Sequence, residues 1–204
     1  MKTYKTSLIL IFLLLGISPW AFSALPGMSS KHLRLVKDLM NNNLAYSQDA
    51  TTTNIIEWEE EIVDSLRQKK DYRNMFLMRQ MAVYAYSLQA KISEALKKAD
   101  AMMDEARLMK YNIGISLSYQ ALGDIYLNAG MRPEAVEEYE KAMKTLQATP
   151  HAEKIQERIF IQLVPTLIKL KRMDEAKAYL EHMSEICESK CLSPFLLYAY
   201  HAYY

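Results

Sequence analysis

The sequence is poor in the residues that most often form turns. Its 204 residues include only five glycines and six prolines. Sandwiches and barrels of short strands need many turns, and Gly and Pro are among the residues that build them. Alanine, leucine, glutamate and lysine, which favour helices, are frequent in the middle of the chain. The composition therefore predicts an all-α protein and argues against an all-β fold.

The sequence also lacks an excess of charge of one sign. Its 25 lysines and arginines stand against 24 aspartates and glutamates, which gives a formal net charge of +1. Proteins that bind nucleic acid usually carry a basic excess, so no nucleic-acid partner is expected. After residue 23 no apolar stretch reaches the length of about 20 residues that a membrane span needs. Membrane attachment is therefore expected only through a part that this chain does not contain.

The first 23 residues have the pattern of a signal peptide. Lys2 and Lys5 give a positive start, and the apolar run Leu8–Leu15 follows. Ala21 and Ser23 place small residues at the two positions that a signal peptidase reads, which predicts cleavage before Ala24. The run is short for a span, although an uncleaved N-terminal anchor stays the alternative. The protein is therefore predicted to be exported, and to be periplasmic or secreted after cleavage.

Residues 116–148 contain two amphipathic helices with a turn between them. Pro133 follows the turn at a position that suits the first turn of the second helix, where its missing N–H costs nothing. Gly123 and Ala135 are small, which lets the two helices cross closely. Side chains three and four residues apart share a face on each helix. These positions are Tyr119, Leu122, Gly123, Tyr126, Gly130, Ala135, Tyr139 and Ala142.

This order of residues resembles the tetratricopeptide repeat (TPR) family. The resemblance implies an α-solenoid of antiparallel helix pairs, in which each pair packs on its neighbours. It also implies that the protein works by binding a protein or peptide partner in a concave groove lined by the first helix of each pair.

Similar helix pairs recur on both sides of this unit. Ala95 lies 40 residues before Ala135 and Ala176 lies 41 residues after it, and each opens an amphipathic helix. Three TPR-like pairs are therefore predicted over residues 71–192, with breaks near 90, 131 and 172. Because the period exceeds the usual 34 residues, a HEAT-like solenoid stays a minority alternative. The flanking units replace the signature glycine or aromatic residue at Val83, Ala99, Val164 and Leu180.

The two ends of the array fit the pattern less well. Residues 24–70 are predicted to form N-terminal helices, as a degenerate first repeat or a cap, with one helix from Ser29 to about Asn43. The polar stretch Asn41–Thr53 is predicted to be a loop. Residues 193–204 are predicted to be the first helix of an incomplete further repeat, so we expect the chain to continue or to pair with another protein. The second N-terminal helix has the apolar stripe Ile55, Trp58, Ile62 and Leu66.

The repeat register predicts which side chains face the partner-binding groove. They mix apolar, amide and charged groups, which suits an extended peptide or a partner helix. TPR proteins with a carboxylate clamp use Lys and Asn on successive first helices, where this chain has Gln80, Tyr84 and Asp124, so a clamp ligand is not expected. The predicted groove residues are Leu77, Gln80, Tyr84, Leu88, Leu117, Gln120, Asp124, Asn128, Arg158, Ile161 and Lys169.

No recognised catalytic motif is present, so the sequence predicts no enzyme activity and no cofactor within these residues. A catalytic domain could follow in a longer protein. The four histidines are scattered and none has the spacing of a metal-binding motif; they are His32, His151, His182 and His201.

Two sulfur-containing patterns leave alternatives open. Cys187 and Cys191 are four residues apart, and a structural disulfide is the favoured interpretation for an exported protein. Two free thiols, a redox switch or a metal pair with His182 are the alternatives. Methionines at helical spacing indicate an adaptable core, and a copper(I) site is the distant alternative. They are Met75, Met78, Met81, Met102 and Met103.

The acidic run Glu57–Glu61 and the pair Lys69–Lys70 are interpreted as solvated helix faces and ends.

At the level of the whole protein, an exported N-terminal TPR array resembles the extracytoplasmic sensor region of some bacterial membrane histidine kinases. The resemblance implies a signalling role, with the kinase in a following part of the chain. A stand-alone periplasmic or secreted adaptor is the alternative.

Overall fold

The computed structural model describes the backbone of residues 48–187 and the side chains of residues 55–183. This part of the chain contains seven α-helices and no strand, which confirms the predicted all-α class. The helices are Gln48–Gln68 (α1), Tyr72–Leu88 (α2), Ile92–Leu108 (α3), Asn112–Asn128 (α4), Arg132–Leu146 (α5), Glu153–Lys169 (α6) and Met173–Cys187 (α7).

Two of the three predicted helix pairs, α4–α5 and α6–α7, pack as pairs, whereas α2 packs on α1 and the pairing of α2 with α3 stays a prediction. The breaks within these pairs lie at residues 89–91, 129–131 and 170–172, in agreement with the sequence pattern. The loop predicted for Asn41–Thr53 is wrong in its second half, because α1 already begins at Gln48. The low helix propensity of Thr amounts to only a few tenths of a kcal/mol per residue, so a Thr-rich stretch does not prevent a helix.

Several predicted features lie outside the described residues. They are the signal peptide, the helix from Ser29 to about Asn43, Cys191 and the helix of residues 193–204. Cys187 ends α7, but its side chain is not among those described. The disulfide and the cleavage site therefore stay predictions.

Every connection between consecutive helices contains one residue in the left-handed region. In five of the six connections this residue lies two positions after the helix end. Its N–H and the N–H of the next residue then donate the same pair of hydrogen bonds. At the first, the Lys70 N–H donates to the Arg67 carbonyl at 3.0 Å and the Asp71 N–H donates to the Leu66 carbonyl at 2.9 Å. This is the Schellman arrangement, which satisfies carbonyls at a helix end. The left-handed residues are Lys70, Ala90, Lys110, Gly130, His151 and Lys171.

The chain forms two compact units, Met1–Met102 and Met103–Tyr204. In the first unit, α1 packs on α2 through an apolar core. The methionine pattern contributes to this core, since Met75, Met78, Met81 and Met102 are all buried. Burial on the packing side of a helix is what the adaptable-core interpretation predicts. Other core residues of this unit are Ile62, Val63, Leu66, Phe76 and Ala82.

In the second unit, α4 packs against α5, and α6 contacts α4, α5 and α7. Its core is built mainly from aliphatic side chains, with Tyr139 as its largest fully buried member. The Phe160 ring of α6 meets the Tyr179 ring of α7 edge to face, with centroids 5.7 Å apart. Other buried side chains of this unit are Leu117, Ile125, Leu146, Ile155, Ile159, Leu163, Leu180 and Met183.

Candidate partner-binding surface

The signature residues of the central repeat form a close contact between α4 and α5. Tyr139 on α5 is fully buried, and its ring lies directly against the backbone of α4 at Gly123. A Cβ atom at position 123 would lie 2.5 Å from the ring carbon Cε1. The Tyr139 hydroxyl donates a hydrogen bond of 2.7 Å to Oδ1 of Asp124. Gly123 therefore leaves space for the Tyr139 ring, and Asp124 accepts the hydrogen bond from the Tyr139 hydroxyl.

The predicted groove residues divide into two sets in the structure. One set is partly or fully exposed: Tyr84, Leu88, Asn128, Ile161 and Lys169. The other set is buried, so its place in the partner-binding groove stays a prediction: Leu77, Gln80, Leu117, Gln120, Asp124 and Arg158.

Packing between neighbouring helices explains the buried set. Helix α4 contacts both α5 and α6, α6 contacts α4, α5 and α7, and α2 contacts α1, so each first helix is covered by at least one neighbour. Asp124 is also held by its hydrogen bond from Tyr139. The repeat register gives the direction in which a side chain points, but the depth of that side chain depends on helices that the register does not describe.

Helix α6 has a partly exposed side, as α4 does at Ile115, Tyr119 and Tyr126. We define the α6 surface as the residues of α6 that lie on its partly exposed side. Ile161, Pro165 and Ile168 are separated by four and three residues, which places them along one side of the helix. Gln162 lies beside them, and Lys169 at the helix end is exposed. The α6 surface is thus Ile161, Gln162, Pro165, Ile168 and Lys169.

A proline interrupts the backbone hydrogen bonding of this surface. Pro165 lies inside α6 and has no N–H to donate to the carbonyl of Ile161. One residue further on, the Thr166 hydroxyl donates to the Gln162 carbonyl at 2.6 Å. The sequence showed Pro165, but its position on the accessible side of the helix became clear only from the packing.

The turn after α6 is basic. Arg172 binds Glu175 at 2.6 Å and Glu140 of α5 at 3.4 Å. Lys169 and Lys171 are exposed and form no ion pair within the described residues. Burial, together with the carboxylates Glu140 and Glu175, raises the pKa of the nearby Tyr179 hydroxyl. Lys169 at the end of the α6 surface and Lys171 in the turn after it are therefore two cations without an ion-pair partner among the described side chains.

The first unit contains an ionic cluster that the sequence interpretation missed. Glu59 is only 1% exposed, so the interpretation of Glu57–Glu61 as wholly solvated is wrong at this position. Lys98 Nζ lies 2.5 Å from Glu59 Oε2 and 3.0 Å from Glu60 Oε1. Arg79 Nη1 lies 3.7 Å from Glu59 Oε1. The cluster therefore joins α1, α2 and α3 through charged side chains.

Burial and hydrogen bonding shift the pKa values of this cluster in opposite directions. Burial raises the pKa of Glu59 despite its hydrogen bond from Lys98. The hydrogen bond from Lys98 lowers the pKa of the more exposed Glu60. The sequence held a signal for Glu59: it lies four residues after Ile55 and three before Ile62, on the apolar side of α1.

No group of three His, Cys, Asp or Glu side chains in the described part of the chain is arranged to hold a metal ion. His151 and His182 are exposed, whereas His32 and His201 lie outside the described residues. Of the helices described above, none is both long and apolar enough to cross a bilayer.

Comparison with known proteins supports the repeat pattern. The tetratricopeptide repeat family matches residues 117–145, which span most of α4 and α5, and residues 158–189, which begin in α6 and include α7. No curated protein gives a significant match to the chain.

Proposed function

Because the chain carries tetratricopeptide repeats, a type of module that binds other proteins, we propose that it is an exported, non-catalytic protein-interaction module. The observation that carries this proposal is the match of two consecutive repeats, α4–α5 and α6–α7, to the family. The partner site is placed on the first helices of these repeats, where the α6 surface stays accessible.

We further propose that the protein serves as the N-terminal extracytoplasmic sensor region of a membrane signalling protein of the histidine kinase type. The signal-peptide pattern of residues 1–23 and the fit of an exported TPR array to such sensors support this proposal. A stand-alone periplasmic or secreted adaptor is the second candidate, and the same signal-peptide pattern supports it. A Met-rich copper protein is less favoured, because the methionines of its proposed site are buried in the core of the first unit.

Partner binding can be tested with two double variants of the full chain. Ile161→Ser with Lys169→Ala changes the α6 surface, and Glu137→Ala with Lys144→Ala changes exposed residues of α5. Proteins captured from a periplasmic extract are identified, and the affinity of each purified partner for both variants is then measured. We expect the first variant to weaken binding and the second to leave it unchanged. Loss of binding only in the α5 variant would contradict the proposed surface.

Export and signalling require separate tests. Expression of the chain with residues 1–23 should yield periplasmic protein whose mass corresponds to an N-terminus at Ala24. A mass that retains Met1 would favour an anchor. The reading frame that encodes the residues after Tyr204 separates the two candidates: a membrane span and kinase domain would support the sensor, and a stop codon would support the adaptor.

A further inference from the structure

We propose that one edge of the second unit docks on the surface of an anionic lipid bilayer. Two turns form this edge, one between α3 and α4 and one between α5 and α6. We define the basic edge as residues 107–111 and 148–154. The inference goes beyond the proposed partner site, which lies on the first helices. It concerns a reversible contact at the bilayer surface, which needs no membrane span.

The two turns of the basic edge lie side by side. Nδ2 of Asn112 donates a hydrogen bond of 3.4 Å to Oγ1 of Thr149. Asn112 is the first residue of α4, and Thr149 lies shortly after the end of α5, so this bond connects the two turns directly. Side chains from both turns can therefore meet the same flat surface.

Leu108 projects from the basic edge. Its side chain is 87% exposed, whereas the other exposed large apolar side chains in the described part of the chain are 37–42% exposed. It follows buried Ala106 by two residues, which places it about 200° around α3, on the side away from the core. The fold does not require an apolar residue here, since exposed Gln68 lies at the corresponding end of α1. Burial of this leucine against another surface would therefore be favourable.

Three cations lie in the basic edge. Arg107 and Lys110 stand on either side of the leucine in sequence, Lys154 lies in the first turn of α6, and all three are exposed. None of them forms an ion pair with a described side chain. The basic edge contains one carboxylate, Glu153, and exposed Asp104 lies one turn before the leucine. The excess of positive charge is therefore local to this edge.

An apolar side chain among cations matches the surface of an anionic bilayer. Each Lys or Arg near such a surface strengthens binding about fivefold. The leucine can enter the interfacial region, while the long cationic side chains keep their charged ends at the level of the phosphates. A protein partner would need a pocket shaped for the projecting side chain, whereas a bilayer adapts to it. The chemistry of the basic edge therefore favours a lipid surface.

The charge of the whole chain would not bring it to an anionic surface. The formal net charge of +1 becomes −1 without residues 1–23, because they carry Lys2, Lys5 and no acidic residue. Binding of this shorter chain to anionic vesicles must therefore arise from a local patch. We expect the contact to be weak and reversible, since even a single acyl chain binds membranes only marginally.

Sedimentation with sucrose-loaded vesicles tests this inference on the chain that begins at Ala24, which lacks the apolar run Leu8–Leu15. Vesicles of phosphatidylglycerol and phosphatidylcholine in equal parts are compared with vesicles of phosphatidylcholine alone. We expect binding only to the first, and weaker binding when NaCl is raised from about 0.1 M to about 0.5 M, because salt screens the charges. If the unchanged protein does not bind the anionic vesicles, the inference is wrong, while the proposed partner site on α6 is unaffected.

Charge reversal at two edges locates the contact. Arg107→Glu with Lys110→Glu should weaken binding to anionic vesicles at least about tenfold. Arg132→Glu with Lys171→Glu is the matched control, since both residues are exposed and Lys171, like Lys110, is the left-handed residue of its turn. The control residues lie near the opposite ends of α4 and α6, about 25 Å away and beyond the screening length, so their reversal should change binding little. An equal loss in both variants would reveal an effect of net charge and overturn the inference.

Substitutions of Leu108 test the apolar part of the contact at constant charge. Leu108→Ser should weaken binding about fivefold, and Leu108→Trp should strengthen it, because tryptophan favours the membrane interface. Met173→Ser removes an apolar side chain that is 39% exposed near the opposite edge and should have no effect. Melting curves that match that of the unchanged protein establish that each variant is folded. If Leu108→Ser and Met173→Ser bind the anionic vesicles equally well, no apolar side chain enters the bilayer and the inference is wrong.

Discussion

At the scale of single residues, two consecutive repeats differ at the three positions that form the close contact between α4 and α5. Tyr139 needs space, which Gly123 provides, and an acceptor for its hydroxyl, which Asp124 provides. One repeat later the residues at these three positions are Leu180, Val164 and Pro165. A leucine has no hydroxyl to satisfy and a smaller reach than a tyrosine, so it needs neither a glycine nor an acceptor at the equivalent positions. The departure of the flanking repeats from the signature is therefore a coupled change.

The coupling predicts the effect of a methyl group at position 123. Gly123→Ala would place a Cβ atom 2.5 Å from the buried Tyr139 ring, and the ring must move or α4 and α5 must separate. We expect a loss of about 1–3 kcal/mol in the free energy of unfolding, as is typical of an overpacked core. Urea denaturation followed by circular dichroism measures this loss.

A second substitution provides the control for this prediction. The double variant Gly123→Ala with Tyr139→Leu copies the size relation seen at Val164 and Leu180. It should lose less stability than the sum of the two single variants, because the methyl group then fills space that the ring has left. Strict additivity of the two single changes would contradict the proposed contact.

At the scale of helices and turns, the regular spacing comes from the way each helix ends. A left-handed residue follows α1, α2, α3, α4 and α6 at the same distance, with the same two hydrogen bonds. Gly130 is the only glycine among these five residues, so four turns place a side chain in a conformation that glycine adopts more easily. Lysine occupies three of them, where its charge suits the negative end of a helix.

The turns therefore predict opposite effects for opposite substitutions. Gly130→Ala should lower the free energy of unfolding by about 1 kcal/mol, because no atom lies within 4 Å of the added Cβ and only the backbone is strained. Lys110→Gly should raise it by about 0.5 kcal/mol, since relief of strain exceeds the entropy lost by glycine. Thermal melting of both variants, with Lys144→Gly in the last turn of α5 as a destabilised control, tests this expectation.

The ionic cluster of the first unit predicts unequal roles for two neighbouring lysines. Lys98→Met removes the cation that lies 2.5 Å from buried Glu59, whereas Lys97 is exposed. We expect Lys98→Met to lower the free energy of unfolding by about 2 kcal/mol, less than for a fully buried pair because Lys98 is partly exposed. Lys97→Met should stay within about 0.5 kcal/mol of the unchanged protein.

Denaturation of both single variants and of one double variant measures the role of the cluster. Glu59→Leu with Lys98→Met removes both charges, so no buried carboxylate is left without its closest cation. This double variant should recover most of the stability lost in Lys98→Met. If Lys98→Met were as harmless as Lys97→Met, the cluster would have no part in holding α1.

At the scale of the whole molecule, the sequence predicted the class, the helix pairs and their breaks, because these depend on local periodicity and on turn residues. It did not predict which first-helix residues are accessible. Gln120 and Ile161 occupy equivalent positions one repeat apart, yet Gln120 is buried and Ile161 is partly exposed. Glu59 was missed because a run of acidic residues was read by its composition and not by its position on the α1 stripe. Depth within the fold depends on contacts between helices distant in sequence, which periodicity does not contain.

The near-neutral charge of the chain makes its pH dependence a property of individual groups. At pH 7 the formal net charge is +1, so general repulsion between like charges is small there, and shifted carboxyl groups add their own pH dependence as the pH falls. Glu59 has a folded-state pKa raised above its ordinary value of 4.5, mainly by burial. Above pH 4.5 the Glu59 carboxyl therefore binds more protons in the folded protein than in the unfolded chain. The free energy of unfolding should fall as pH rises through this window, at no more than about 1.4 kcal/mol per pH unit.

Glu60 should have the opposite effect in a lower pH range. The hydrogen bond from Lys98 lowers its pKa below 4.5, so its stabilising contribution is present above that value and is lost as pH falls through the folded-state pKa. Chemical denaturation from pH 3 to pH 8 should show that Glu59→Gln flattens the decline above pH 4.5, whereas Glu60→Gln flattens the loss below it. Curves of both variants that run parallel to that of the unchanged protein would show that neither carboxyl changes its environment on folding. In that case the cluster of Glu59, Glu60, Arg79 and Lys98 would not form in solution as it does in the structure.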